Sequence, residues 1–255
     1  MSLVIAVCGK GGTGKTTLSA LMIRSLIKSG ANPILAVDAD PNANLAPALG
    51  IPVELTVGQV LEQFHGQKLT IPEGMSKQAY LELRLNQAVA EAKSIDLLTM
   101  GRPEGPGCYC SANAVLRDTL ERLAENYQYV VLDNEAGMEH LSRRTAHRID
   151  ALLMVTDPSM KGVRTVSGLL ALVSELGLPI VKKYLVISRA QKLDPRLEQA
   201  IKQLPVPLLG IVPEDPLVTE YDLAAKSFLE LPANSPAADA ALAMLEKLKS
   251  GWNGP

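Results

Sequence analysis

Residues 9–17 read Gly9-Lys10-Gly11-Gly12-Thr13-Gly14-Lys15-Thr16-Thr17. An apolar run, Leu3–Val7, leads into this stretch through Cys8. Beyond it Leu18, Leu21, Met22 and Leu26 recur at helical spacing. Strand, glycine loop, helix is the setting in which G-x-x-x-x-G-K-T cradles phosphate. Gly9, Gly11, Gly12 and Gly14 let backbone N–H groups turn inward around phosphate oxygens, with Thr13 between them. The positive end of the helix starting near Lys15 adds attraction for an anion. Lys15 brings a point charge to the β- and γ-phosphates. Thr16 can ligate Mg²⁺ through its hydroxyl, and Thr17 extends the phosphate-binding turn. An ordinary strand-to-helix turn would not need the full spacing.

Working outward, apolar runs recur at Pro33–Val37, Ile95–Met100, Tyr129–Leu132, Ala151–Val155, Lys183–Ile187 and Leu208–Val212. They are continuous rather than alternating, so both faces are expected to be buried, and helical patterns separate most of them. The predicted fold class is α/β: a mostly parallel central sheet with helices on both faces, a P-loop NTPase architecture. Ligands of such sheets sit beyond the carboxyl ends of the strands, so the residues after each run are the candidates. No repeat, low-complexity stretch or linker divides the 255 residues, and one domain spanning 1–255 is expected.

Composition narrows the classes. With 47% hydrophobic residues a folded core is expected rather than disorder. A net charge of −2 gives no electrostatic reason to expect nucleic acid or an anionic membrane as partner. Three cysteines, an odd number, without a signal-peptide pattern argue for a reducing compartment, and a cytoplasmic location is expected. The last helical pattern, Ser235–Lys249, puts Ala238, Ala241, Leu242, Leu245 and Leu248 on one face. Its few basic residues favour packing on the domain over membrane binding.

Lys10 before the double glycine makes the loop K-G-G-x-G-K. This resembles the deviant phosphate loop (deviant Walker A) of the family that includes the nitrogenase iron protein, the Min and Par partitioning ATPases and the arsenite pump ATPase. The resemblance implies ATP and Mg²⁺ as cofactors and a homodimer in which Lys10 stabilises phosphoryl charge in trans, as an arginine finger does. Lys10, Lys15 and Asp40 are the implied catalytic residues. Asp38 and Asp40, in DADPNANL after Pro33–Val37, resemble its switch I. Asp40 would orient or activate the attacking water and Asp38 would support the magnesium region. Asp40, Pro41 and Asn42 also fit an Asx turn at a helix start. Asp133, after Tyr129–Leu132, matches the position of a Walker B carboxylate for Mg²⁺, and Glu135, Ala136, Gly137 and Glu139 resemble switch II. Lys161 and Arg164 fall in a segment that often faces the partner subunit in that family.

Base contacts are implied at Ser188–Arg189 and at Pro213, Glu214 and Asp215. The family usually has Asn where Ser188 stands, and a hydroxyl cannot reproduce an amide's paired donor and acceptor. A plain turn at 213–215 fits equally well.

In GRPEGPGCYCSANAVLRDTL, Cys108 and Cys110 close a glycine–proline loop, with Ser111 as N-cap of a helix running to about Asn126. A helix N-terminus favours the thiolate, the metal-ligating form. Two thiolates at i, i+2 do not complete a tetrahedral site, whereas a second pair across a two-fold axis gives four, suited to Zn²⁺ or Ni²⁺. Packing thiols or a redox pair share this spacing. GCYC followed by that helix, in a chain with this phosphate loop, closely resembles the nickel-insertion ATPases of carbon monoxide dehydrogenase maturation, the CooC type, and a relative serving acetyl-CoA synthase. The resemblance implies Ni²⁺ (or Zn²⁺) on Cys108 and Cys110 of both subunits, and apo carbon monoxide dehydrogenase or acetyl-CoA synthase as client. The D-x-E-A-G-x-E-H form after Tyr129–Leu132 points the same way. His65 and His140 read as surface histidines, and Arg143, Arg144 and Arg148 as a solvated face. Other readings are an electron-transfer ATPase like the nitrogenase iron protein, which needs two well-separated cysteines, and a positioning ATPase acting on DNA or membrane.

Overall fold

A computed structural model describes residues 2–65, 71–102, 120–134 and 148–252. Among them eight strands form one sheet in the order β3-β4-β2-β5-β1-β6-β7-β8. The strands are β1 (Leu3–Gly9), β2 (Ile34–Asp38), β3 (Val89–Ala92), β4 (Ile95–Thr99), β5 (Tyr129–Asp133), β6 (Ile149–Thr156), β7 (Ile180–Ser188) and β8 (Leu208–Val212). Every pairing is parallel except β3 with β4. β1, β2, β5 and β6 are buried almost throughout, as uninterrupted apolar runs in a two-sided sheet should be.

Two apolar layers cover the sheet. On one face lie α1 (Lys15–Lys28), the short α2 (Leu45–Leu49), a 3₁₀ turn (Phe228–Glu230) and α8 (Pro236–Ser250). On the other lie α3 (Val57–His65), α4 (Lys77–Gln87), the helical residues 120–125, α5 (Met160–Glu175) and α6 (Pro195–Lys202). α7 (Pro216–Leu223) follows β8 and buries none of its residues.

The seven apolar runs all become strands. The eighth, β3, begins inside an amphipathic pattern, Ser76–Ala90, whose helical spacing predicts a helix to its end. The helix stops at Gln87, and Val89–Ala92 pairs antiparallel with β4 at the sheet edge. Edge pairing needs only a half-buried VAEA, a pattern too short to compete with the helical one before it. The helix at 236–250 packs against α1 through Ala238, Ala241, Leu245 and Leu248, whereas Leu242 is 36% exposed and leaves that face. No helix among the described residues is long and apolar enough to cross a membrane.

Candidate functional site

β1 sits at the sheet's centre, between β5 and β6, and delivers the loop 9–14 to the carboxyl edge. A Cβ on Gly9 would lie 2.2 Å from the Val155 carbonyl oxygen, so only glycine lets the loop leave β1 against β6. The loop folds around the Lys10 carbonyl. It accepts from the Thr13 amide (3.3 Å) and Thr13 Oγ1 (2.8 Å), with Lys15 Nζ at 3.4 Å. Gly14 holds the left-handed N-cap of α1 at φ 84°, and no side chain caps the helix there. The first-turn amides thus keep their donors for an outside acceptor. Lys15 is buried, while Lys10 is exposed.

Two carboxylates end neighbouring strands beside the loop. Asp38 and Asp133 are in register across β2 and β5. Ser19 of α1 donates to Asp133 Oδ1 at 3.0 Å, and Asp133 Oδ2 is buried without a hydrogen-bond partner among the described residues. Burial pushes Asp133 up to about 6, against the pull of the Thr16 and Ser19 hydroxyls and the Lys15 charge. A buried carboxylate oxygen left open beside the Thr16 hydroxyl fits an oxygen-seeking cation such as Mg²⁺ with Thr16 and Asp133 as donors. Asp38 is fully buried. Its Oδ1 accepts from the Asp40 amide (3.1 Å) and its Oδ2 from the Leu45 amide (2.8 Å), closing the loop 38–45. Burial pushes Asp38 up to about 7; the Leu45 amide opposes this, and Asp133 adds to it. Asp40 Oδ1 accepts from both the amide (2.8 Å) and Nδ2 (2.9 Å) of Asn42, so the Asx turn is present beside the candidate catalytic carboxylate. Arg102 Nη2 then donates to Asn42 Oδ1 at 2.9 Å.

On the opposite flank the loops after β7 and β8 adjoin the phosphate loop. Ser188 lies beside Gly14 and donates its hydroxyl to the Thr156 carbonyl at 3.2 Å. Arg189 takes a left-handed conformation, φ 53°, and its Nη2 donates to the Gly12 carbonyl at 2.9 Å. The Ala190 amide reaches the Val212 carbonyl, which brings Pro213 and Glu214 alongside. Asp215 points inward. Its Oδ1 accepts from the Leu217 amide (2.9 Å), and its Oδ2 from Ser235 Oγ (2.6 Å) and the Ala237 amide (3.1 Å). Its carboxylate therefore ties the N-termini of α7 and α8 together and is not presented to a base.

Lys10, Lys15, Thr16, Asp38, Asp40 and Asp133 thus gather at one edge, with Ser188 and Arg189 on the flank. Cys108, Cys110, Ser111, Glu135, Ala136, Gly137, Glu139, His140, Arg143 and Arg144 lie outside the described residues. Arg148 pairs with Asp150 at 2.9 Å within the chain. Lys161 and Arg164 are exposed on the first turns of α5, capped by Ser159. Sequence reasoning missed Ser19, though it stands one turn beyond Thr16 on the same helical face. Thr99 at the end of β4 and Asn134 after β5, whose Nδ2 donates to the Val7 carbonyl at 2.9 Å, stand at the same edge, and no spacing marks them.

A family model described as the CobQ/CobB/MinD/ParA nucleotide binding domain matches residues 4–228. An uncharacterized ATP-binding protein of Methanocaldococcus jannaschii is 43% identical over 239 residues, covering 91% of this chain and 93% of the relative. The carbon monoxide dehydrogenase accessory protein CooC of Rhodospirillum rubrum is 31% identical over 264 aligned residues, covering 94% and 95%. The septum site-determining protein MinD of Pyrococcus horikoshii, solved with Mg-ADP, superposes with a TM-score of 0.71 at 23% identity, covering 97% and 96%.

Proposed function

The chain belongs to the CobQ/CobB/MinD/ParA nucleotide-binding domain family, and from that premise we propose that it is an ATP-hydrolysing homodimer that carries nickel for insertion into a metalloenzyme. The observation that carries this reading is the coexistence of the K-G-G-x-G-K loop with one C-x-C pair in a chain 31% identical, over 94% of its length, to a carbon monoxide dehydrogenase accessory protein.

In this reading the loop amides and Lys15 hold the ATP phosphates, and Ser188, Arg189, Pro213 and Glu214 flank the nucleoside. Thr16 and Asp133 hold Mg²⁺, which would neutralise charge on the β- and γ-oxygens. The Asp40 carboxylate accepts a hydrogen bond from the attacking water and orients it. Lys10 of each subunit reaches the nucleotide of the other. Nickel is the cargo, held by Cys108 and Cys110 of both subunits and released to the client as the dimer reopens.

The test is nickel content per dimer of anaerobically purified protein. Wild type should bind about one nickel per dimer, as four-thiolate coordination requires. The Cys108→Ser, Cys110→Ser double variant should bind none and keep its ATP affinity. Unchanged nickel stoichiometry in that variant would refute the site. The likeness to MinD supports a second reading, a positioning ATPase acting at a surface. ATP-dependent retention on anionic liposomes, with no nickel bound, would favour it.

A further inference from the structure

Four buried side-chain atoms among the described residues lack a hydrogen-bond partner: Arg24 Nε, Thr99 Oγ1, Asp133 Oδ2 and Asn134 Oδ1. Three of them stand at the carboxyl ends of β4 and β5, in the candidate site. An open buried polar atom is costly unless another state of the protein uses it. Asp133 Oδ2 has a use in cation binding. Thr99, 1% exposed, has none in the reading above.

Its position supplies one. Asp38 is in register with Thr99 on β4 and with Asp133 on β5, so the three residues form a row across adjacent strands. In-register residues of parallel strands point to the same face, about 4.8 Å apart. That face is the one covered by α1 and α2. Asp133 meets Ser19 of α1 there, Asp38 meets the first amide of α2, and Leu97, two residues before Thr99, belongs to the same apolar layer. The orphan hydroxyl therefore stands beside a carboxylate that has spent one oxygen on the Asp40 amide and the other on the Leu45 amide.

We propose that Thr99 is a positioning residue for the loop carrying Asp40: its hydroxyl takes the place of the Asp40 amide on Asp38 when Asp40 moves to order the attacking water. This rests on the reading of Asp40 given above. The exchange keeps the count of donors to Asp38 constant. A buried carboxylate would otherwise lose a partner each time the loop shifts, and that cost would be charged to turnover. The proposed function gives Thr99 no contact with nucleotide or cation, so its contribution is confined to the moved state.

The signature separates this role from simple packing. Thr99→Val keeps the shape and removes an unpaired hydroxyl. Its urea midpoint should equal or exceed that of wild type, its ATP affinity should stay within about twofold, and kcat for hydrolysis should fall about tenfold or more. Thr99→Ser keeps the hydroxyl and should retain kcat within about threefold. The inference is overturned if Thr99→Val hydrolyses ATP like wild type, if it loses turnover only together with stability or ATP binding, or if Thr99→Ser is as slow as Thr99→Val. A wild-type protein that binds ATP without hydrolysing it would instead overturn the proposed function, and this inference with it.

Discussion

Cys8 shows what burial does to a single group. It lies next to the phosphate loop with no exposed surface, and burial pushes its thiol up from 9.0 to about 12, against the pull of Lys15. The folded state therefore keeps the proton between about pH 9 and 12, where the unfolded thiol has lost it. More protons bound in the native state means that this group's contribution to stability falls as pH rises through that window. The thiolate is the nucleophile, so native protein at mildly alkaline pH should leave Cys8 unmodified by iodoacetamide, while protein in concentrated urea is alkylated there. Peptide mass mapping reads the difference, and equal labelling in both states would contradict the burial. The same contrast makes Cys8 a poor metal ligand and leaves Cys108 and Cys110 as the thiols to watch.

Among the elements, the loop after β8 acts as a joint. Asp215 caps α7 and reaches the first turn of α8 at Ala237, while Ser235 caps α8 through the Ala238 amide and donates to Asp215. α8 packs along α1, the helix that starts at the phosphate loop. One carboxylate thus holds the loop after β8 to the helix that packs along α1. Asp215→Ala removes an acceptor from two helix N-termini and strands the Ser235 hydroxyl. A loss of about 2 to 4 kcal/mol in urea unfolding is expected, with Asp215→Asn intermediate because it keeps one acceptor oxygen. A variant as stable as wild type would show that the joint is not a structural support.

For the molecule as a whole, the proposed reaction needs two copies. Lys10 is exposed at the mouth of its own loop, and among the described residues its side chain makes no hydrogen bond or ion pair. A lysine acting on its partner's nucleotide should make hydrolysis depend on dimerisation. Sedimentation with a slowly hydrolysed ATP analogue should show dimers of wild type. Lys10→Ala should bind nucleotide yet hydrolyse it about 10³-fold more slowly. Single chains under every combination of nickel and nucleotide, or undiminished turnover in the variant, would remove the trans role and with it the shared cysteine site.

The sequence by itself determined seven of the eight strands, the phosphate loop and the strand-ending carboxylates beside it, because each is written in contiguous residues. Uninterrupted apolar runs require two covered faces. Glycine spacing sets the loop, and the residue ending each strand must lie at the same edge. Tertiary structure alone decided what those residues do for one another. Asp38 and Asp215 look like equivalent loop aspartates in sequence. Asp38 finds its partners, the Asp40 and Leu45 amides, within its own loop and clamps it, whereas Asp215 reaches Ser235 and Ala237, which only folding brings near, and becomes a link between helices. Thr99 carries no motif at all. Its place in the row with Asp38 and Asp133 follows from the strand order β4-β2-β5, and strand order is set by how helices pack across the sheet, which no local spacing encodes.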